Sequence, residues 1–144
     1  EMYNPNDFAI DLKGWSLSHI SPNLNSNLLL TEGVISGLST TIMTGDPSSQ
    51  DVGLADHVID LGGEGFLGVG QLNLLDDGGG VVILSYTQLS EFQPFEVMRV
   101  EWGGDSGFFL TPSQSLEYIP PIFPPTQLDW QISSTPTPGI VNLV

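Results

Sequence analysis

An antiparallel β-sandwich of roughly seven to nine short strands is the fold class this sequence predicts. Three observations predict it. Apolar and polar residues alternate with a period of two over several stretches, as in strands with one buried face. Turn clusters separate those stretches, and the 144 residues include 17 Gly and 11 Pro, a composition that suits many short strands and leaves little room for helices. Apolar residues make up 40% of the chain and charged ones only 13%, so a chain of this length can bury a core without staples.

In chain order, Glu1 to Tyr3 reads as a strand that turns at "NPND" and re-enters an apolar segment ending in Gly14-Trp15. "GWSLSHI" alternates Trp15, Leu17 and, after His19, Ile20 with Ser16 and Ser18. "VISGLSTTIM", "GFLGVGQLNLL" and "GGVVILSY" are further strand candidates bounded by glycines. "FEVMRVEW" alternates imperfectly, Phe95, Val97, Met98, Val100 and Trp102 against Glu96, Arg99 and Glu101, and reads as a half-buried strand with its charged side in water. "SLEYI" and "IVNLV" are short candidates near the end. Between them, "SPNLNSN", "TGDPSSQD", "LDDGGG", "WGGDSG" and "IPPIFPPTQ" carry turn chemistry. The proline-rich stretch cannot be central strand and is expected to cross between sheets in extended form.

Charge narrows the partners. Seventeen Asp and Glu stand against Lys13 and Arg99, a formal net charge of -15. Two cations cannot displace the counterions of a nucleic acid, and attraction to anionic lipid fails for the same reason. Such a surface repels itself, so salt or divalent cations should favour the compact state, as in a salty or calcium-bearing exterior. The sequence has no cysteine, hence no disulfide and no thiolate metal site. No apolar stretch approaches the roughly 18 residues of a membrane helix. No basic segment followed by an apolar one marks a signal peptide, so an exported parent is expected to carry its signal outside this stretch.

Four motifs then fall into a recognisable order. "YNPND" (Tyr3 to Asp7) is followed by "IDLKGWSLS" (Ile10 to Ser18), and much later by "SLEYI" (Ser115 to Ile119), Trp130 and "TPTPGIVN" (Thr135 to Asn142). Together they resemble the lamin tail domain, an immunoglobulin-like sandwich of nuclear lamins and of many bacterial surface and secreted proteins. The resemblance spans nearly the whole chain, though from about Pro22 to Asp76 only the strand rhythm carries it. It implies that these residues build the fold and form no catalytic set. Asn4-Pro5 can start a turn, Asp11 can accept backbone N–H groups, Gly14 can take a left-handed or closely packed position, and Trp15 can anchor a core. Trp130 matches a structural position, Pro138-Gly139 makes a rigid turn before the last strand, and Asn142 resembles the asparagine of the family's closing strand. Family members usually begin with one more strand, upstream of the segment that here reads "EMYNP". The expectation is a single domain over residues 1–144, a fragment of a larger protein, its first strand cut off or supplied by another chain. A sandwich edge left open in that way is a template for β-addition.

Candidates for chemistry are few. His19 and His57 lie far apart, without a convergent third ligand, and read first as isolated surface or turn histidines. No Ser-His-Asp order or Gly-x-Ser-x-Gly elbow occurs, so nucleophilic catalysis has no foothold. Asp46, Asp51, Asp76 and Asp77 could supply oxygens to calcium, although no calcium-loop spacing is met and solvated turn aspartates are the plainer reading. The charge balance predicts that calcium raises the melting temperature, and a flat titration to millimolar calcium would exclude a specific site. Glu91 with Glu96, or Glu101 with Asp105, is a weak match to the paired carboxylates of glycosidases. Trp102 with Asp105 could form a sugar-binding platform, against the plainer reading that Trp102, Phe108 and Phe109 pack into the core or loops. Gly62, Gly63 and Gly65 around Glu64 lack the lysine and the following helix of a phosphate loop.

The expected function is therefore a non-catalytic structural or adhesion module of an extracellular or cell-surface protein. It would act on other protein domains or on copies of itself, through protein contacts and edge-strand pairing, with no nucleic acid, no membrane insertion and no cofactor other than a candidate calcium. The alternative is a glycan- or calcium-binding module, or the accessory domain of a secreted hydrolase; the resemblance implies the last, since bacterial members often accompany nucleases.

Overall fold

The computed structural model describes residues 1–23, 25–44, 57–60, 68–71, 78–87, 93–111, 114–118 and 130–136, with 57–60 and 68–71 described in their backbone alone. Among these residues the chain is all-β, without an α-helix. Its strands are β1 (Met2–Asn4), β2 (Ile10–Asp11), β3 (Trp15–Ile20), β4 (Asn25–Leu30), β5 (Val34–Ile35), β6 (Ser39–Thr44), β7 (His57–Asp60), β8 (Gly68–Gln71), β9 (Gly79–Tyr86), β10 (Phe95–Gly103), β11 (Ser115–Tyr118) and β12 (Trp130–Ser133). A strand content of this kind, divided among several mostly antiparallel sheets, is consistent with a β-sandwich. Among the described residues no helix is long and apolar enough to cross a membrane.

Two compact units interleave along the chain. The first takes Glu1–Lys13 and the described part of Leu30–Val69. It holds a three-stranded sheet in the order β1-β6-β7 and the two-residue pair β2-β5. β1 runs antiparallel to β6, with Asn4 opposite Ser39, whereas β6 and β7 run parallel, an exception to the antiparallel pairing expected throughout. Its buried apolar residues are Leu12, Leu30, Ile35 and Ile42.

The second unit takes Gly14–Leu29 and the described part of Gly70–Pro136. Its main sheet has the order β10-β9-β3-β4-β8, and β11 pairs with β12. Residues directly opposite one another share a face. Leu17 lies opposite Leu28 on one side and Leu84 on the other, and His19 opposite Ser26 and Val82, so Leu17, Leu28, Leu84 and His19 form one face with Trp102, which sits opposite Gly80. The other face carries Ser18, Asn27 and Arg99, the half-solvated pattern that alternation predicts.

Where the structure departs from the sequence reading, the cause is local. The twelve described strands exceed the seven to nine expected, because short segments add to the count and "VISGLSTTIM" is two strands. Gly37 breaks it: a Cβ there would stand 2.5 Å from the Asp7 carbonyl carbon, and backbone packed that tightly excludes any other residue. "SPNLNSN" is turn only in part, since β4 begins at Asn25. "GGVVILSY" is β9 from end to end, "SLEYI" becomes β11, and only Gly68–Gln71 of "GFLGVGQLNLL" is described strand. β7 and β12 were not foreseen. "IVNLV" lies outside the described residues.

Candidate functional site

The best-defined polar construction in the first unit is centred on Asn4. This residue closes β1 with 1% of its surface exposed. Its side-chain nitrogen donates to the carbonyls of Phe8 at 2.8 Å, Ser36 at 3.0 Å and Ile35 at 3.3 Å. Its Oδ1 accepts from the backbone nitrogen of Asn6 at 3.1 Å and from Asn6 Nδ2 at 3.0 Å. Carbonyls only accept and a backbone N–H only donates, so these partners fix which end of the amide faces which way. The bond to Asn6 is an Asx turn, which is how "YNPND" reverses the chain. The bonds to Ile35 and Ser36 fasten that turn to a second one more than thirty residues away.

The two turns meet backbone to backbone. Leu38 donates its N–H to the Asn6 carbonyl at 2.8 Å, and Gly37 abuts Asp7 and Phe8. Leu38 is also the described non-glycine residue with positive φ, at 53°, a left-handed conformation that costs an L-residue about 1–2 kcal/mol. Phe8 and Leu38 project apolar side chains from this clamp, each 62% exposed, while Asp7 beside them is exposed and acidic. A strained leucine held out in water on a fastened turn contributes little to the fold. It is well placed to meet another molecule.

The second unit buries a polar side chain with the opposite outcome. His19 is 0% exposed, and its ring lies on Trp102 with centroids 5.7 Å apart and planes 14° apart. Among the described residues neither imidazole nitrogen has a hydrogen-bond partner. Gly80 lets the two rings meet, since a Cβ there would stand 2.9 Å from His19 Nε2 and 3.1 Å from Trp102 Cζ2. The expectation of a surface or turn histidine is corrected: two residues on from buried Leu17, His19 lies on the same face of β3 and is itself fully buried. Beside it, Ser18, Ile20, Asn25, Ser26 and Asn27 line an open groove of about 310 Å³ at the β3–β4 hairpin. His19 belongs to the same lining, but with no exposed surface its ring does not open into the groove.

On β10 the imperfect alternation has a structural cause. The register against β9 shifts between Glu96 and Met98, a β-bulge that inserts Val97. Arg99 then forks onto both oxygens of Glu96 at 2.9 Å and reaches Glu101 at 3.1 Å. The hydrogen bond from Arg99 holds the Glu96 carboxyl below its usual range, against a smaller opposing effect of burial. Hydrogen bonds to Glu96 and Glu101 raise Arg99 further above its already high value.

The other residues marked in the sequence are placed as follows. Asp11 Oδ1 accepts the Lys13 N–H at 2.9 Å and Gly14 has φ 86°, both as expected of that turn. Pro5 is exposed in the Asn4 turn. Trp15 is half-buried rather than a fully buried anchor and packs on Tyr86 at 5.4 Å, and Trp130 is likewise half-buried in β12. Trp102 is 8% exposed with one face against His19, the packing placement rather than an open platform. Asp105 lies in a short 3-10 turn, Gly104–Ser106, described in its backbone alone. His57 is likewise described in its backbone alone. Asp46, Asp51, Asp76, Asp77, Glu91, Pro138, Gly139 and Asn142 lie outside the described residues. Among the described residues no three of His, Asp or Glu gather where they could hold a metal ion. Sequence reasoning missed Phe8 and Leu38; the Ser36-Gly37 pair, a turn signal inside an apolar run, could have revealed Leu38.

No protein-family model, curated protein or solved structure matches this chain.

Proposed function

We propose that this chain is a non-catalytic structural or adhesion module of the lamin-tail type, of an extracellular or cell-surface protein, and that it acts through protein–protein contacts. The observation that carries this reading is the pair of exposed apolar side chains, Phe8 and Leu38, on two turns fastened together by Asn4. Apolar groups on a rigid mount lose little entropy when a partner covers them. The charge of -15 with only two cations keeps such a module apart from nucleic acid and anionic membrane. Edge pairing is the secondary route. β1 and β10 end their sheets among the described residues, but the bulge and the charges of β10 discourage strand addition there.

Ligand classes compared on the intact chain test the reading. Polypeptides with exposed apolar side chains should shift the backbone amide resonances of Asn6 to Phe8 and of Gly37 to Leu38. Polysaccharides should leave the tryptophan emission unchanged, and calcium should raise the melting temperature no more than sodium chloride of equal ionic strength does. A response to polysaccharide, or to calcium beyond that of sodium chloride, with none to polypeptide would replace this reading by the ligand-binding one.

A further inference from the structure

We infer that the Phe8–Leu38 turn pair docks a basic protein segment that carries an apolar side chain among its lysines or arginines. The inference rests on the protein-contact reading and names the partner's chemistry. Three observations support it. Leu38 holds φ 53°, where glycine would sit without strain, so the leucine side chain serves something other than the turn. Asn4 and the Leu38 N–H to Asn6 carbonyl bond lock both turns, so Phe8 and Leu38 offer a preformed apolar contact, each 62% exposed. The third observation is charge. Asp7 is exposed between Phe8 and the Asn6 carbonyl that anchors Leu38, and the chain carries seventeen acids against two cations. Of those cations, Arg99 is already held by Glu96 and Glu101. A second copy of the chain would bring like charge to like charge. A basic segment gains attraction at long range and burial at contact.

The experiment measures fluorescence anisotropy of three labelled peptides with the full chain: alternating lysine and leucine, alternating serine and leucine, and alternating lysine and serine. The lysine–leucine peptide should bind tightest and weaken with salt. Phe8→Ser and Leu38→Gly should each weaken it by about tenfold, the loss of one apolar anchor. Leu38→Gly should do so with an unchanged or higher melting temperature, which separates lost contact from lost folding. If lysine–serine binds as well as lysine–leucine and neither variant matters, charge alone drives binding and the docking site is overturned. Equal binding of serine–leucine, lost in Leu38→Gly, would leave the protein-contact reading standing and overturn the basic partner. Sedimentation of the chain alone supplies the remaining arm: a dimer dispersed by Leu38→Gly would make a second copy the occupant and overturn the inference. Should all three peptides fail while a polysaccharide binds, both readings fall.

Discussion

Asn4 and His19 are both polar side chains taken almost wholly out of water, at 1% and 0% exposure, one in each unit. Among the described residues the Asn4 side chain makes five hydrogen-bond contacts and the His19 side chain none. The difference separates two ways in which a polar group can sit inside a protein. A satisfied amide converts its desolvation cost into a fastening between distant segments. An imidazole without partners carries that cost with no return in hydrogen bonds, offset by the stack on Trp102 and by burial of its ring. Burial alone does not reveal which group holds a fold together; the partner list does.

Substitutions can break that comparison. The largest effect is expected at Asn4, where Asn4→Ala should cost about 3 kcal/mol or more, because carbonyls and N–H groups of both turns lose their partner. Asn4→Asp should be at least as damaging, since a carboxylate would face carbonyls it cannot donate to. Chemical denaturation with an unchanged slope would measure both, and an effect below about 1 kcal/mol would mean that the turns hold without the hub. Gly80→Ala comes next, at about 1–3 kcal/mol, because the added methyl meets His19 and Trp102. That cost should shrink in a His19→Ala background, a coupling that a double-mutant cycle reads directly. The comparison sharpens at His19 itself. His19→Leu, close in volume and free of unsatisfied nitrogens, should stabilise the chain by about 1 kcal/mol. A loss of stability there would point to a buried water or ligand on the imidazole.

The smallest effect lies on β10. Glu96 titrates lower in the folded chain than its ordinary value, so its contribution is present above the usual carboxylate range and fades as pH falls through the depressed folded value. Glu96 and Arg99 side chains are 44% and 43% exposed, and solvent screening limits the pair to about 0.2–1 kcal/mol. The stability advantage of the unmodified chain over Glu96→Gln should therefore be small at neutral pH and vanish in acid or in high salt. An advantage that persisted at pH 2 would assign it to packing instead.

The strands legible in the sequence are those whose alternation is strong. β3 and β9 fall within the stretches "GWSLSHI" and "GGVVILSY". β10 was legible down to its flaw, since the adjacent Val97 and Met98 that spoil its alternation mark the bulge. β4 was hidden because Asn25, Ser26 and Asn27 have turn propensity, yet their pairing with β3 overrides it. The Asn4 turn was legible as a turn but not as a hub, because two of its acceptors, Ile35 and Ser36, are 31 and 32 residues away. Leu38 was hidden by its neighbours. An apolar run reads as one strand until the close approach of Gly37 to Asp7 shows where it must break.

Pro5, which follows Asn4, bears on how the protein ages. Asparagine side chains usually deamidate when the next residue's backbone nitrogen attacks the side-chain amide and closes a five-membered imide. The nitrogen of proline carries no hydrogen and is already fully substituted, so that ring cannot form at Asn4. Conversion to aspartate at this position would remove the donor to three carbonyls and set a negative charge among them. The residue that shapes the first turn thus also protects its fastening from slow chemical decay.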